Sequence, residues 1–343
     1  MASIHIPAEW APRRALWTAW PSDAALWREN LAPARREVAA MVRALAGAGD
    51  AVKVLASGAE AGAAARAALA TEAEVLEEPF GDIWLRDTGP IFAKVDGAPA
   101  ALCFRFNGWG GKYVLDHDDR VAEAIAKRSG ARVIRHDFVL EGGAIELDGE
   151  GTLLTTRQCL LNKNRNPSWS QKDAESALRD ALGIERILWL DEGLANDHTD
   201  GHIDNLARFI APGVVLCQSP VADDPNAEVL DKIARDLSAM RDAKGRKLEV
   251  LRIPSPGRVL NEEGDVMPAS HMNFVISADA QFTRWIVPIY DDNVSDATML
   301  RFHDLMTQVP SDGIRGDVAV FARANAILSG GGAFHCITQQ EPL

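Results

Sequence analysis

The strongest constraint on the fold is a pattern that recurs five times along the chain. Each copy is a segment with helical periodicity, then a glycine, then a short β-rich run. A glycine suits this junction because a helix must end there and the chain must turn into a strand, often through a positive φ. The predicted helix–strand pairs are 34–46 with 51–56, 118–128 with 131–136, 170–182 with 185–190, 226–242 with 247–253, and 294–307 with 317–322.

Hairpin-like pieces lie between these pairs. Two of them have short strand-like runs on either side of an Asp-Gly turn: 91–95 with 101–106, and 144–147 with 152–156. Each unit then holds one helix and two or three strands. Five such units without a linker predict an α/β fold with a single domain over 1–343, closed into a circular array. Periodicity leaves an ordinary α/β sheet open as the alternative.

Charge narrows the class of partner. The chain has 36 Lys and Arg against 49 Asp and Glu, which gives a net charge of −13. An acidic surface repels phosphate backbones and favours the approach of small cations. We therefore expect no nucleic-acid partner, and a cationic substrate fits. Many soluble proteins are equally acidic without such a substrate, so charge alone does not decide.

The sequence also indicates a soluble, reducing setting. It contains no run of roughly 18–20 apolar residues that would cross a membrane. The first residues, MASIHIPAEWAPRR, lack the apolar core of a signal peptide. We expect a cytoplasmic protein without a disulfide framework or a structural zinc site, because its four cysteines are widely spaced: Cys103, Cys159, Cys217 and Cys336.

The first segment with candidate chemistry is DIWLRDTGP, residues 82–90. Its Gly-Pro ending stops regular structure and leaves Asp87 near a loop. A carboxylate there can accept two hydrogen bonds from a planar cation while Trp84 covers the face of that cation. The alternative is a turn residue, or a surface partner for Arg86.

The second segment is DHTDGHIDN, residues 197–205. If the chain is extended there, His202 and Asp204 point to one face. Alternating histidine and aspartate can also ligate a divalent metal, which would use His198 and Asp200 as well. A purely structural hydrogen-bonded cluster is the third interpretation, because His-Asp pairs are common in polar loops.

The third segment is GGGAFHCITQQ, residues 330–340. Its glycines let the backbone approach a ligand closely. Cys336 follows them, and a nucleophilic cysteine needs a nearby base or positive charge to form its thiolate. Most free cysteines are simply buried small apolar residues, so the segment alone leaves that alternative open.

These segments together resemble the agmatine deiminases, within the guanidino-group-modifying (pentein) superfamily that includes bacterial peptidylarginine deiminases. The sequences GHIDN and GGGAFHCITQQ are the most specific part of the resemblance. The resemblance implies a five-bladed circular α/β propeller of repeated ββαβ units. The segments that carry it, in family order, are 6–23, 82–92, 106–113, 141–156, 160–167, 197–209, 272–274 and 330–342.

The resemblance also implies a role for each matched residue. Cys336 resembles the nucleophile, His202 the general acid and base, and Glu141 the group that orients His202. The substrate-binding residues implied are Asp87, Asp204, Trp84, Trp109 and Asn273. The implied reaction converts agmatine into N-carbamoylputrescine and ammonia through an amidino-cysteine, with no cofactor and no metal. The expected partner is a small guanidine, with no membrane partner, and a homodimer stays open.

Three other functions compete with this one. The substrate could be free arginine, a peptidyl arginine or a methylated arginine. The fold could serve as a non-catalytic binding module, although such a module would not need the reactive residues found here. The chain could also be a metallohydrolase that uses the His-Asp segment, residues 197–205.

Overall fold

A computed structural model describes residues 3–278, 283–290, 296–308 and 316–343. The strands form five sheets of three or four strands each. In each sheet an antiparallel pair is followed, across a helix, by a strand parallel to the second member of that pair. The predicted α/β class is therefore confirmed, while the circular arrangement of the five units stays a prediction.

The first and last strands of the chain each join a sheet whose other strands come from the first 140 residues. The last strand pairs antiparallel with a strand that begins at Arg13, and the first strand pairs antiparallel with one that begins at Ile91. The first unit contains Thr338–Pro342, Arg13–Ala19, Leu31–Ala46, Val52–Ala56, Ala59–Leu69 and Glu74–Glu77. The second contains Ile4–His5, Ile91–Val95, Ala98–Arg105, Val121–Ser129 and Arg132–Val139.

The remaining three units each have three strands and one helix. The third contains Ile145–Leu147, Thr152–Thr156, Gln171–Leu182 and Arg186–Leu190. The fourth contains Ala207–Ala211, Val214–Ser219, Ala227–Ala239 and Glu249–Pro254. The fifth contains Val275–Ala278, Thr283–Ile289, Asp296–Gln308 and Gly316–Arg323.

Most predicted elements agree with these bounds within a few residues. Gly130 and Gly183 end their helices in the left-handed conformation, with φ of 74° and 70°, as predicted. Residues 294–295 of the fifth predicted helix, and 309–315 of the loop after it, lie outside the described residues. The helix Ala59–Leu69 was missed because its alanine-rich sequence gives little contrast between an apolar and a polar face.

Each long helix packs an apolar face against its sheet. Leu31–Ala46 buries Val38, Met41, Val42 and Leu45, which recur at helical spacing. Burying one such side chain contributes roughly 1.5–3 kcal/mol to the free energy of unfolding. No helix in the described part of the chain combines the length and the apolar character that a bilayer span requires.

Short helical turns connect the regular elements, and most of the candidate residues lie in one of these turns or directly before it. Three of them stand at the centre of the site: Leu85–Thr88, Gly142–Ala144 and Ile203–Asn205. The others are Ala24–Trp27, Arg28–Asn30, Gly108–Gly111, Asp118–Arg120, Arg157–Leu160 and Asn325–Leu328.

Candidate active site

The predicted reactive side chains converge on the backbone of one glycine. A Cβ added to Gly143 would lie 2.6 Å from Nδ1 of His202 and 2.9 Å from Oδ1 of Asp87. It would also lie 3.2 Å from Oδ2 of Asp204. All of these side chains are buried. The second glycine of the EGG segment therefore leaves room for three charged groups from distant parts of the sequence.

Cys336 is held in this site by an asparagine. Asn273 donates a hydrogen bond from Nδ2 to the sulfur at 2.9 Å, and its Oδ1 accepts the Cys336 N–H at 3.1 Å. The sulfur lies 3.5 Å from Oδ2 of Asp204. A Cβ on Gly332 would come within 3.0 Å of the sulfur and 2.7 Å of the Trp84 ring. The glycine run is thus required for close packing of the cysteine.

The two aspartates differ in how they are held. Asp87 accepts the Gly143 N–H at Oδ1 over 2.9 Å and the Trp109 indole N–H at Oδ2 over 2.8 Å. Asp204 accepts a hydrogen bond from Nδ1 of His335 at Oδ2 over 2.8 Å. Among the described residues, Oδ1 of Asp204 has no hydrogen-bond partner, although it is buried. This oxygen is therefore ready to accept a hydrogen bond from a ligand.

His202 lies between two carboxylates. Its Nδ1 is 3.7 Å from Oδ1 of Asp87, and its Nε2 is 3.6 Å from Oε2 of Glu141. Burial disfavours a charge on the imidazole, but Asp87, Cys159 and Glu141 together raise the pKa of His202 well above its ordinary value. The imidazole is therefore protonated at neutral pH and can donate a proton.

Glu141 is anchored by a buried arginine. Arg165 donates to Oε1 of Glu141 at 2.8 Å and to the Thr199 carbonyl at 2.8 Å, and it also pairs with Asp200. Burial alone would raise the pKa of Glu141, but His202 and Arg165 lower it. The carboxylate thus stays ionised and is held in place beside the imidazole.

A cavity of about 330 Å³ is lined in part by Cys336. Its wall includes Trp84, Trp109 and Asp87. The Trp84 indole N–H donates to Asp82 at 2.7 Å, so both indoles are fixed by carboxylates. The two tryptophans predicted to bind the substrate therefore line the same cavity as Cys336.

The electrostatics of the site favour a cation. Burial raises the pKa of the Cys336 thiol well above its ordinary value, and Asp204 and Asp87 raise it further. Burial likewise raises the pKa of Asp87. A positive charge between the carboxylates would reverse both effects, because it favours a thiolate and an ionised acid.

Two of the four residues that the metal-binding alternative would use already have other partners. Asp200 pairs with Arg165 and accepts from Lys112 at 2.6 Å, and His198 contacts the Tyr113 hydroxyl at 3.0 Å. A different trio, Glu141, Cys159 and His202, has ligand atoms within 4.8 Å of one another and is the group in the described chain that could hold a metal ion.

Two findings differ from the expectations based on sequence. Residues Ile203–Asn205 form a tight helical turn rather than an extended chain, yet His202 and Asp204 both face the site. Arg165, His335 and Glu9 were not predicted as part of the site. All three lie within or beside segments that carry the family resemblance, so the signal was present without an assigned contact.

Comparison with known proteins connects the fold and the site to a class of enzyme. An agmatine deiminase from Enterococcus faecalis superposes with a TM-score of 0.89 at 33% identity, over 99% of this chain and 96% of that chain. DDAH from Pseudomonas aeruginosa, solved with citrulline, shares the fold at a TM-score of 0.51 and 11% identity, over 96% of this chain and 99% of that chain.

Curated relatives match along nearly the whole sequence. An agmatine deiminase from Stutzerimonas stutzeri is 39% identical over 98% of this chain and 95% of its own length. These similarities show that the protein is an enzyme of the α/β class that hydrolyses C–N bonds of amidines. The chain belongs to the Porphyromonas-type peptidyl-arginine deiminase family, whose model matches residues 5–342.

Proposed function

We propose that the protein hydrolyses agmatine to N-carbamoylputrescine and ammonia through a covalent amidino-cysteine. The observation that carries this proposal is the approach of the Cys336 sulfur to 3.5 Å from Asp204, in a cavity that also exposes Asp87. Relatives named agmatine deiminase, with 39% identity over nearly the full chain, support the choice of substrate.

The guanidinium binds as a flat cation between two carboxylates. Asp204 offers its unpaired Oδ1, and each oxygen of Asp87 has a further lone pair beside the bond it already accepts. Trp84 and Trp109 cover the faces of the cation. The charge-assisted hydrogen bonds hold the guanidinium carbon in front of the Cys336 sulfur.

The first half of the reaction releases ammonia. The bound cation lowers the thiol pKa, so Cys336 gives its proton to solvent and the thiolate attacks the guanidinium carbon. A tetrahedral adduct forms, and protonated His202 transfers its proton to one terminal nitrogen. That C–N bond breaks, ammonia leaves, and a positively charged amidino group remains bonded to sulfur.

The second half releases the product. His202, now neutral, takes a proton from water, and the resulting hydroxide attacks the amidino carbon. The C–S bond breaks and the thiolate is restored, and the new hydroxyl group gives its remaining proton to solvent to become the carbonyl of a ureido group. Glu141 holds His202 for both proton transfers, since it lies 3.6 Å from Nε2 and is anchored by Arg165.

The proposal includes a circular arrangement of the five units. A closed five-bladed propeller that forms one domain over 1–343 is supported by the pairing of the last strand, Thr338–Pro342, with Arg13–Ala19. That pairing makes the two ends of the chain part of one unit. The cytoplasmic location and a homodimer stay predictions.

A substrate comparison tests the choice of agmatine. Within the described residues, the cavity wall carries Asp82 and Glu29 in addition to Asp87, against one arginine, Arg28, and one histidine, His198. This balance favours a substrate with a cationic far end over a peptidyl C-terminal arginine, which ends in a carboxylate. An assay of ammonia and ureido product should give the highest kcat/KM for agmatine. A higher kcat/KM for free or peptidyl arginine would reassign the substrate.

Mass spectrometry of the intact protein, quenched during turnover of agmatine, tests the mechanism. We expect an amidino adduct on Cys336, and we expect Cys336→Ser to lower kcat at least about 10⁴-fold without unfolding the chain. Cys103→Ser is the matched control, because Cys103 is buried in the strand Ala98–Arg105 and burial raises its pKa to about 11. An adduct elsewhere, or full activity in Cys336→Ser, would disprove the nucleophile.

A further inference from the structure

His335, the residue before the cysteine, lies between two buried carboxylates. Its Nδ1 is 2.8 Å from Oδ2 of Asp204, and its Nε2 is 3.0 Å from Oε2 of Glu9. These three side chains are at most 6% exposed. The glutamate comes from the N-terminal segment and the histidine from the C-terminal one, so the contact links the two ends of the chain to the site.

Both ring nitrogens of His335 face acceptors, which determines the charge of the ring. A carboxylate accepts hydrogen bonds, and an imidazole donates from both nitrogens only when it is protonated. Burial would raise the pKa values of Glu9 and Asp204, but the arginine and histidine partners of each lower them. Both carboxylates are therefore ionised, and an imidazole that donates a hydrogen bond to each of them is positively charged.

A second ion pair fixes the far side of this histidine. Arg208 pairs with Glu9 and donates to Glu146 at 2.9 Å. Glu9 also accepts the Ile276 N–H at 2.9 Å. Glu9 is thus held independently of His335, and it sets the position of the imidazole rather than following it.

The contact leaves Asp204 with one oxygen engaged and one available. His335 occupies Oδ2, while Oδ1 has no hydrogen-bond partner among the residues that the structure describes. The main chain of His335 is held separately, because its N–H donates to the Asn273 carbonyl at 3.1 Å. Loss of the imidazole should therefore disturb Asp204 more than the neighbouring Cys336.

We propose that His335, charged and held by Glu9, is a positioning residue that fixes the Asp204 carboxylate with Oδ1 directed at the guanidinium. This inference rests on the proposed function, since it concerns the same substrate and the same site. Asp204 contacts the cation before and during the reaction, so its misplacement weakens binding in both states. The effect should therefore fall more on KM than on kcat.

Steady-state kinetics of two substitutions test the role. His335→Ala removes both contacts and should raise KM for agmatine about 100-fold, with a smaller fall in kcat. His335→Asn can place an amide N–H near the former Nδ1, so it should recover part of the loss. Equal KM values in both variants and the unmodified protein would overturn the proposal, as would a loss confined to kcat.

A matched control separates positioning from general destabilisation. His271 is also buried, and its Nδ1 lies 2.9 Å from the Pro288 carbonyl. His271→Asn should lower the melting temperature but leave KM within about twofold. If His271→Asn raises KM as much as His335→Ala does, the effect on KM is a consequence of lost stability and the proposal fails.

Nitrogen NMR of histidine-labelled protein gives a measurement that needs no turnover. In the unmodified protein at neutral pH, both nitrogens of His335 should show the shifts of a protonated imidazolium, and Glu9→Gln should perturb them. A neutral His335 would overturn the inference whatever the substrate is. Absence of agmatine turnover with a charged His335 would instead count against the proposed function alone.

Discussion

Two side chains of the proposed site carry buried polar atoms without a hydrogen-bond partner among the described residues. Both ring nitrogens of His202 and Oδ1 of Asp204 lack hydrogen-bond partners within the described residues, although both side chains are fully buried. Buried polar groups normally find partners, and an orphaned one is costly. The cost is understandable if these atoms are arranged in advance for a cation and for proton transfer.

The close packing around Gly143 predicts that a larger side chain at this position lowers activity. A methyl group there would meet His202 at 2.6 Å and Asp87 at 2.9 Å, so one of the two must move. Displacement of a catalytic group by about 1 Å can cost roughly 100-fold in rate. We expect Gly143→Ala to lower kcat/KM at least about 100-fold in a steady-state agmatine assay while the protein still folds.

Gly245→Ala provides the comparison. Gly245 has a φ of +81°, and a Cβ added there would have nothing within 4 Å, in the connection before the strand Glu249–Pro254. The substitution should cost about 1 kcal/mol of stability because the residue is left-handed, and kcat/KM should stay unchanged. If Gly143→Ala is as active as Gly245→Ala, close approach at Gly143 has no functional importance.

Short turns, rather than the long helices and strands, carry the groups proposed to be reactive. The turn that holds Asp87 is preceded by a segment whose backbone is bound by an acidic side chain. Asp118 accepts the Gly81 N–H at 2.8 Å and the Asp82 N–H at 3.3 Å through Oδ1. Its Oδ2 is buried without a partner among the described residues, and burial raises the pKa of Asp118 to about 7.

The raised pKa of Asp118 predicts that the stability of the protein depends on pH. Between about pH 4 and 7 the folded state keeps a proton that the unfolded chain loses, so the free energy of unfolding falls as pH rises. A carboxamide in place of this carboxyl group keeps the acceptor oxygen and cannot ionise. We expect Asp118→Asn to gain about 1–3 kcal/mol over the native protein at pH 8, and to have no advantage at pH 3.

Urea unfolding at both pH values measures this difference. The neighbouring Asp119→Asn is the control, because Asp119 is exposed and its replacement should change stability by less than about 0.5 kcal/mol at either pH. A gain for Asp118→Asn that is the same at pH 3 and pH 8 would show that ionisation of Asp118 is not its cause.

At the scale of the whole molecule, the C-terminal strand joins the first sheet. Glu341 accepts the Trp17 indole N–H at 2.8 Å and a hydrogen bond from Lys53 at 3.3 Å, and it is 3% exposed. Trp17 is fully buried, so its N–H depends on this contact. The strand that contains Glu341 begins at Thr338, close to Cys336. Its pairing with the first sheet therefore also restricts the position of the Cys336 sulfur.

We expect Glu341→Ala to lower the free energy of unfolding by about 2 kcal/mol, because it leaves a buried indole N–H and a lysine without their acceptor. Urea denaturation measures the loss. Glu74→Ala, at an exposed position of the edge strand Glu74–Glu77, should be nearly neutral. Similar losses in the two variants would mean that the contact between the chain ends is not a source of stability.

Helices, helix ends and candidate reactive residues could be predicted from the sequence. The helix Leu31–Ala46 follows from the spacing of its apolar residues, and the ends of two helices follow from Gly130 and Gly183. Cys336 and His202 could be proposed as reactive groups because the short motifs around them resemble those of a known enzyme family. Such features depend on residues within a few positions, which one chain displays directly.

The partners of those groups were decided only by tertiary structure. Asn273 contacts the sulfur across 63 residues, Arg165 reaches Glu141 across 24, and His335 reaches Asp204 across 131. The periodicity of apolar residues does not predict these long-range contacts, because they depend on which turns of separate sheets pack together. The sequence by itself thus indicated which groups to propose as reactive. Packing determined which groups hold them and set their charges, since both depend on distances that only the folded chain sets.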